Sequence, residues 1–247
     1  LIKKAISAIL FVCIPFILLS QTDSQQVNHN YNRHEIVKGL IAPVILTSAG
    51  LFTYKEGGTL NKYDLQDFFH HQIGRTSTHV DDYLAFAPMV ALYGLDASGI
   101  KAKNDFYNRS LMLIKSELLT MAIVNGLKYT VGELRPDSSN HLSFPSGHTA
   151  QAFMSATLLH KEYKDKSLWY SVAAYSTATA VGLLRILNNK HWTNDVLVGA
   201  ATGILSVNVV YLTHRYKVFP AKNKGALIYP YSYGGYSGLG LIWDMKL

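Results

Sequence analysis

Cysteine is nearly absent. The single one, Cys13, excludes an internal disulfide and any Cys cluster of the kind that holds structural zinc. It lies in an N-terminal apolar run, and Leu10-Phe-Val-Cys13 is a poor lipidation box because Val12 is not small. No H-E-x-x-H occurs. His70-His71 is the most metal-like pair, but helix neighbours point about 100° apart. The two are poor co-ligands, and a structural or substrate-facing role is the simpler reading. No nucleic-acid motif, internal repeat or low-complexity tract is evident. Mean hydropathy is only +0.09, low for a protein that crosses a membrane many times.

What is present fits one domain with a sizeable core, since the chain has 247 residues. A net charge of +7, without a nucleic-acid motif, points to anionic lipid or phosphorylated substrates. The 16 tyrosines suit a boundary between water and apolar surroundings. Residues 1–21 read as an export signal: Lys3-Lys4, an apolar stretch from Ala5 to Leu19, and small Ser20. Leu18 at the −3 position leaves an uncleaved N-terminal anchor open. Residues 22–35 are polar and predict an exposed lead-in.

Six apolar, helix-like segments follow, at about 37–54, 83–98, 109–128, 147–160, 168–187 and 195–214. They predict an all-α, six-helix bundle over 36–218, with its site at one end. Asp64 begins a further short helix-like stretch. The tail, 219–247, is rich in Tyr and Gly. Leu227, Tyr229, Tyr231 and Tyr233 alternate with other residues, and a second alternating run starts at Leu239, with Gly234-Gly235 between. That is a hairpin signature. A lone hairpin is marginal, so it should pack on the bundle or pair with something.

Three stretches carry chemistry. Lys128 and Arg135 are seven residues apart, nearly two helical turns, so a helix would point both the same way before Pro136 ends it. Pro145-Ser146-Gly147-His148 precedes an apolar run and looks like a helix start. Free N–H groups there bind phosphate directly, and Gly147 allows close approach. His191 and Asp195 are one turn apart, so a carboxylate fixes one imidazole nitrogen and leaves the other to attack. Arg185 adds a third cation. A phosphoryl group in transfer needs spread positive charge more than covalent chemistry.

In order, these stretches resemble the three-part signature of the type 2 phosphatidic acid phosphatase (PAP2) family: K-x6-R-P, P-S-G-H and S-R-x5-H-x3-D. Leu184 stands where the family usually has Ser, which removes one hydroxyl donor. The resemblance covers roughly residues 80–215. It implies that His191 is the nucleophile forming a phosphohistidine and that Asp195 orients it. His148 is then the acid for the leaving oxygen and afterwards the base for water. Lys128, Arg135, Ser146, Gly147 and Arg185 would hold the phosphate oxygens. No metal and no cofactor is implied, and a bell-shaped pH profile follows from a neutral His191 and a protonated His148. Residues 79–89 also resemble the Asp-Asp-Tyr-Leu-x-x-Ala-Pro stretch of exported PAP2 phosphatases of the Bacteroidetes type, some of which act on lipid A. Physically, Asp81-Asp82 suits a helix start, or contact with a catalytic or phosphate-holding cation.

The implied activity is metal-independent hydrolysis of phosphomonoesters outside the cytoplasm, with lipid phosphates as the favoured substrates. Lipid A, phosphatidic acid, phosphatidylglycerol phosphate and polyprenyl diphosphate all stay open. Three alternatives remain: a soluble non-specific acid phosphatase, a vanadium-dependent haloperoxidase, and a non-catalytic envelope binding protein. Neither a protein partner nor nucleic acid is expected; contact with a membrane is. Two segments, Ser167–Leu184 and Val196–Thr213, run 18 residues without a charge. If the first three segments all span after an export signal, the loop from Lys128 to His148 returns to the cytoplasmic side. That favours a compact bundle held outside the cytoplasm, seated on a membrane surface, over a fully integral one.

Overall fold

The computed structural model describes residues 33–54, 60–214, 226–233 and 236–243. The leader, most of the lead-in and the Gly234-Gly235 turn lie outside them. Eight helices occur among the described residues: α1 (Arg33–Tyr54), α2 (Lys62–Gln72), α3 (Val80–Leu84), α4 (Ala87–Ala97), α5 (Phe106–Val131), α6 (Gly147–Tyr163), α7 (Leu168–Leu187) and α8 (Thr193–Thr213). The expected six become eight for two reasons. The stretch at Asp64 is a full helix, α2, started by Asn61, whose Oδ1 accepts from the Tyr63 and Asp64 amides at 2.9 and 3.0 Å. The segment expected at 83–98 is two helices, because Pro88 sits in the first turn of α4 and favours a fresh start.

Local chemistry sets the other ends. Asp105, Ser146 and Ser167 each cap the helix that follows, and Gly132 closes α5 in the left-handed conformation at φ 63°. α6 is the central helix, packed against α8, α7, α5 and α4. Its Ala152, Met154, Ala156 and Leu158 are fully buried. Burying such a side chain as Leu or Met stabilises by roughly 1.5–3 kcal/mol. Two glycines let α8 approach α6 closely. A Cβ on Gly199 would lie 2.6 Å from the Ser146 carbonyl oxygen, and one on Gly203 would run into the Ala150 carbonyl. This contact fixes the start of α6 beside the start of α8.

α1, α5 and α8 are each long and apolar enough to cross a membrane. α6, with 17 residues, is shorter. On α1, the side chains of Val37, Ile41, Val44, Ile45 and Phe52 are at least half exposed. Near the chain's end, β1 (Ala226–Tyr233) pairs antiparallel with β2 (Tyr236–Trp243), Tyr233 opposite Tyr236, and β1 runs beside α5.

Candidate active site

Four helix ends converge: the last turns of α5 and α7 and the first turns of α6 and α8. The Ser146 N–H donates to the Asp195 carbonyl at 3.0 Å, tying the start of α6 to α8. The His191 and Lys190 amides both donate to the Arg185 carbonyl, at 3.3 and 3.0 Å, and so fold the α7–α8 loop back on α7.

His191 is buried, and its Nδ1 faces Asp195 Oδ2 at 3.5 Å. That carboxylate is itself held from several sides. Its Oδ2 accepts from Ser143 Oγ at 2.5 Å and from the Trp192 N–H at 2.9 Å, and Asn194 Nδ2 donates to Oδ1 at 3.1 Å. At 3.5 Å the His191 Nδ1 makes no hydrogen bond among the described residues, and the ring lines a cleft of about 80 Å³. Lys128, Arg135, Gly147 and His148 line the same cleft. The first amides of a helix lack intrahelical acceptors, so Gly147 at the start of α6 suits an anion there. Burial, then the charges of Lys128, Arg185 and Arg135, hold the His191 imidazole well below its ordinary range, which favours the neutral ring.

The two motif cations do not share a helix face as the spacing predicted. Gly132 ends α5 before Arg135, which sits in the following loop with its N–H on the Asn140 carbonyl and its Nε on Asn140 Oδ1. Both still reach the cleft, because Lys128 Nζ donates to the Leu142 carbonyl at 2.5 Å and pins that loop against the helix. Ser146 also differs from the expectation. Its hydroxyl is buried and turned to the helix start, accepting from Thr149 Oγ1 at 3.0 Å. Leu184 is half-buried in the last turn of α7, and its carbonyl accepts from the Asn188 N–H at 2.8 Å.

Arg185 is buried behind the cleft on Asp81: Nη1 donates to Oδ2 at 2.6 Å, and Asn188 Nδ2 donates to Oδ1 at 3.0 Å. Next to it, Asp82 Oδ1 lies 2.6 Å from His148 Nε2. The Asp81-Asp82 pair therefore opens α3 and also holds two motif residues. Burial first, then the Arg185 charge, push the His148 imidazole down to about 3, against an opposing pull from Asp82. Asp81, Asp82 and His148 have ligand atoms within 4.8 Å of one another, a spacing that suits a metal ion. The Arg185 guanidinium already occupies the electropositive place between the two carboxylates, with Nη1 3.6 Å from Asp82 Oδ1, so a counter-charge role fits them better.

Other contributors were not visible in the sequence. Lys62 Nζ lies 2.5 Å from Glu133 Oε1 and is boxed by the rings of Tyr54, Tyr63 and Trp192 at 5.0–5.3 Å. Glu133 in turn accepts from Asn194 Nδ2 at 3.3 Å, beside Asp195. Of the adjacent histidines, His70 is structural: Nε2 lies 3.1 Å from the Ile186 carbonyl oxygen and Arg75 Nε donates to Nδ1 at 3.1 Å.

The helices thus bring a carboxylate-backed histidine, two cations and a helix start to one cleft. Residues 109–219 match the family model of the PAP2 superfamily, and all three motifs fall inside that match. The chain is similar to the lipid A 1-phosphatase of Porphyromonas gingivalis, 43% identical over 136 residues, or 53% of this chain and 30% of that protein. The chain thus spans less than a third of that relative's length. Among solved structures it is similar to that of Aquifex aeolicus LpxE, at a TM-score of 0.49 and 23% identity, over 64% of this chain and 98% of that one.

Proposed function

We propose that this chain is a metal-independent phosphatase that hydrolyses lipid phosphate monoesters by double displacement through His191. The free nitrogen of His191 attacks phosphorus, the P–O ester bond breaks, and the leaving oxygen takes a proton from His148. Water then attacks the phosphohistidine, gives its proton to His148, and releases inorganic phosphate and free His191. Asp195 stabilises the positive imidazole during the first step; Lys128, Arg135, Arg185 and the Gly147 amide spread the phosphoryl charge. The observation that carries this reading is the His191–Asp195 geometry at the wall of a cleft shared with Lys128, Arg135 and His148.

The proton on His148 follows from charge balance. In the empty site burial, then the surrounding cations, keep it off. A bound phosphate monoanion offsets those cations and carries the proton, which passes to His148 in the complex. Residues 36–218 form the phosphatase unit in this reading, with 219–247 an appendage beside it. The apolar lengths of α1, α5 and α8 and the exposed face of α1 favour seating in a membrane, on its exported side. The similarity to a lipid A phosphatase supports a lipid substrate.

The test is phosphate release in EDTA from lipid A, phosphatidic acid, phosphatidylglycerol phosphate and a soluble aryl phosphate, with His191→Ala as control. Release that His191→Ala abolishes supports the proposal; equal release by both proteins sinks it. Activity on the aryl phosphate alone moves the reading to a soluble phosphatase. Vanadate-dependent halide oxidation without phosphate release moves it to a haloperoxidase.

A further inference from the structure

Glu133 lies in a gap that the first motif leaves open, yet the donors to Asp195 lead back to it. Each of the three makes a second hydrogen bond to Glu133 or to its neighbour Leu134, in the loop after α5. Ser143, whose Oγ donates to Asp195, also donates its N–H to the Glu133 carbonyl at 2.9 Å. Trp192, whose N–H donates to Asp195, also donates Nε1 to the Leu134 carbonyl at 2.9 Å. Asn194 Nδ2 donates both to Asp195 Oδ1 and to Glu133 Oε2, at 3.1 and 3.3 Å. Those two acceptors set the orientation of the amide, because the reverse would turn its oxygen toward two carboxylates.

Of these three anchors, only the last runs through a side chain of Glu133 or Leu134. Glu133 and Asp195 are both buried, 7% and 0% exposed. Two carboxylates on one amide repel each other, and a buried charge is costly unless paired. Lys62 supplies the pair, with Nζ 2.5 Å from Glu133 Oε1 and the rings of Tyr54, Tyr63 and Trp192 around it. Apolar side chains would fill the same space without that cost. What the charged pair adds is a fixed acceptor for Asn194.

Given the phosphatase reading, on which this rests, we infer that Glu133 is a positioning residue: through Asn194 it holds the Asp195 carboxylate against His191, with Lys62 as its counter-charge. Asp195 Oδ2 stands 3.5 Å from His191 Nδ1. The imidazolium formed on attack closes that gap into a charge-assisted hydrogen bond only if the carboxylate keeps its direction. The benefit falls on the transition state, where the ring turns positive, and not on substrate binding.

The experiment compares two double variants, Lys62→Met with Glu133→Gln and Lys62→Met with Glu133→Leu. Both remove the ion pair at unchanged net charge, and they differ in the acceptor left for Asn194. kcat and KM are measured below the Tm of each variant, on whichever of the four substrates above the wild type turns over fastest. The Leu variant is expected to lose roughly 100-fold in kcat, as a misplacement of about 1 Å does, with KM within about threefold of wild type. The Gln variant should keep kcat within about threefold of wild type. Lys62→Met with Glu133→Ala removes the same acceptor with less bulk and takes the place of the Leu variant if that one does not fold. Equal kcat in the Gln and Leu variants, whether both fall or neither does, overturns the positioning role. No release from any substrate by the wild type, or release undiminished in His191→Ala, overturns the phosphatase reading instead.

Discussion

Replacing Asp81 by Asn removes the counter-charge of a buried arginine without changing the shape of the side chain. In the native site Arg185 Nη1 donates to Asp81 Oδ2 at 2.6 Å, and Asn188 Nδ2 donates to the other oxygen at 3.0 Å. The Asp81 side chain is fully buried and that of Arg185 is 8% exposed. An Asn amide can satisfy one of these donors, but its own NH2 then faces the second. Breaking a buried pair on one side costs about 3–5 kcal/mol. In a domain of this size that corresponds to a fall in Tm of roughly 6–20 °C. The control is Asp137→Asn, which breaks the rim pair with Lys190 at 2.7 Å, where the Lys190 side chain is 43% exposed. An exposed pair is worth at most about 1 kcal/mol. Thermal unfolding of the two purified variants beside wild type measures the difference. A fall for Asp81→Asn no larger than that for Asp137→Asn would refute the view that Arg185 is locked by a desolvated partner.

Further outcomes follow from the same geometry. Asp82→Asn removes the contact that supports a proton on His148, so kcat should drop by roughly 100-fold, the low end of the usual span for acid–base groups, and fall off at a lower pH than in wild type. An unchanged pH profile of kcat would contradict that. In wild type, His148 and His191 are both held neutral in the empty site, so the required proton comes with the substrate, whose second ionisation lies near pH 6. The plot of kcat/KM against pH should therefore decline above about 6 and stay level on the acid side well below 6.5. An acid limb centred near 6.5 would mean that His191 titrates normally. Gly199→Ala puts a methyl 2.6 Å from the Ser146 carbonyl oxygen and should separate α6 from α8. Its expected signature is lost phosphate release together with a lower Tm, by about 1–3 kcal/mol of overpacking.

The site was legible where its residues are local. His191 and Asp195 share a helical-turn spacing, and Pro145 to His148 carries its own helix start, so short-range geometry announces both. Lys128 and Arg135 were found as a pair, but for the wrong reason: Gly132, a left-handed stop inside the motif, outweighs the helical period. The supporting contacts were not legible because they join distant parts of the chain. Ser143 reaches Asp195, Lys62 reaches Glu133 and Asp81 reaches Arg185, across separations of 52, 71 and 104 residues. The apolar periods marked the segments that become α1 and α5 to α8. They merged α3 with α4, where only Pro88 signals the break.

The most direct test of the mechanism is to trap the covalent intermediate. Wild-type protein would be mixed with a 32P-labelled lipid phosphate, quenched in alkali within a single turnover, and mapped by peptide mass spectrometry. The account predicts base-stable, acid-labile label on the peptide carrying His191, absent from His191→Ala. Rapid phosphate release with no labelled protein, or label on a different residue, would contradict it.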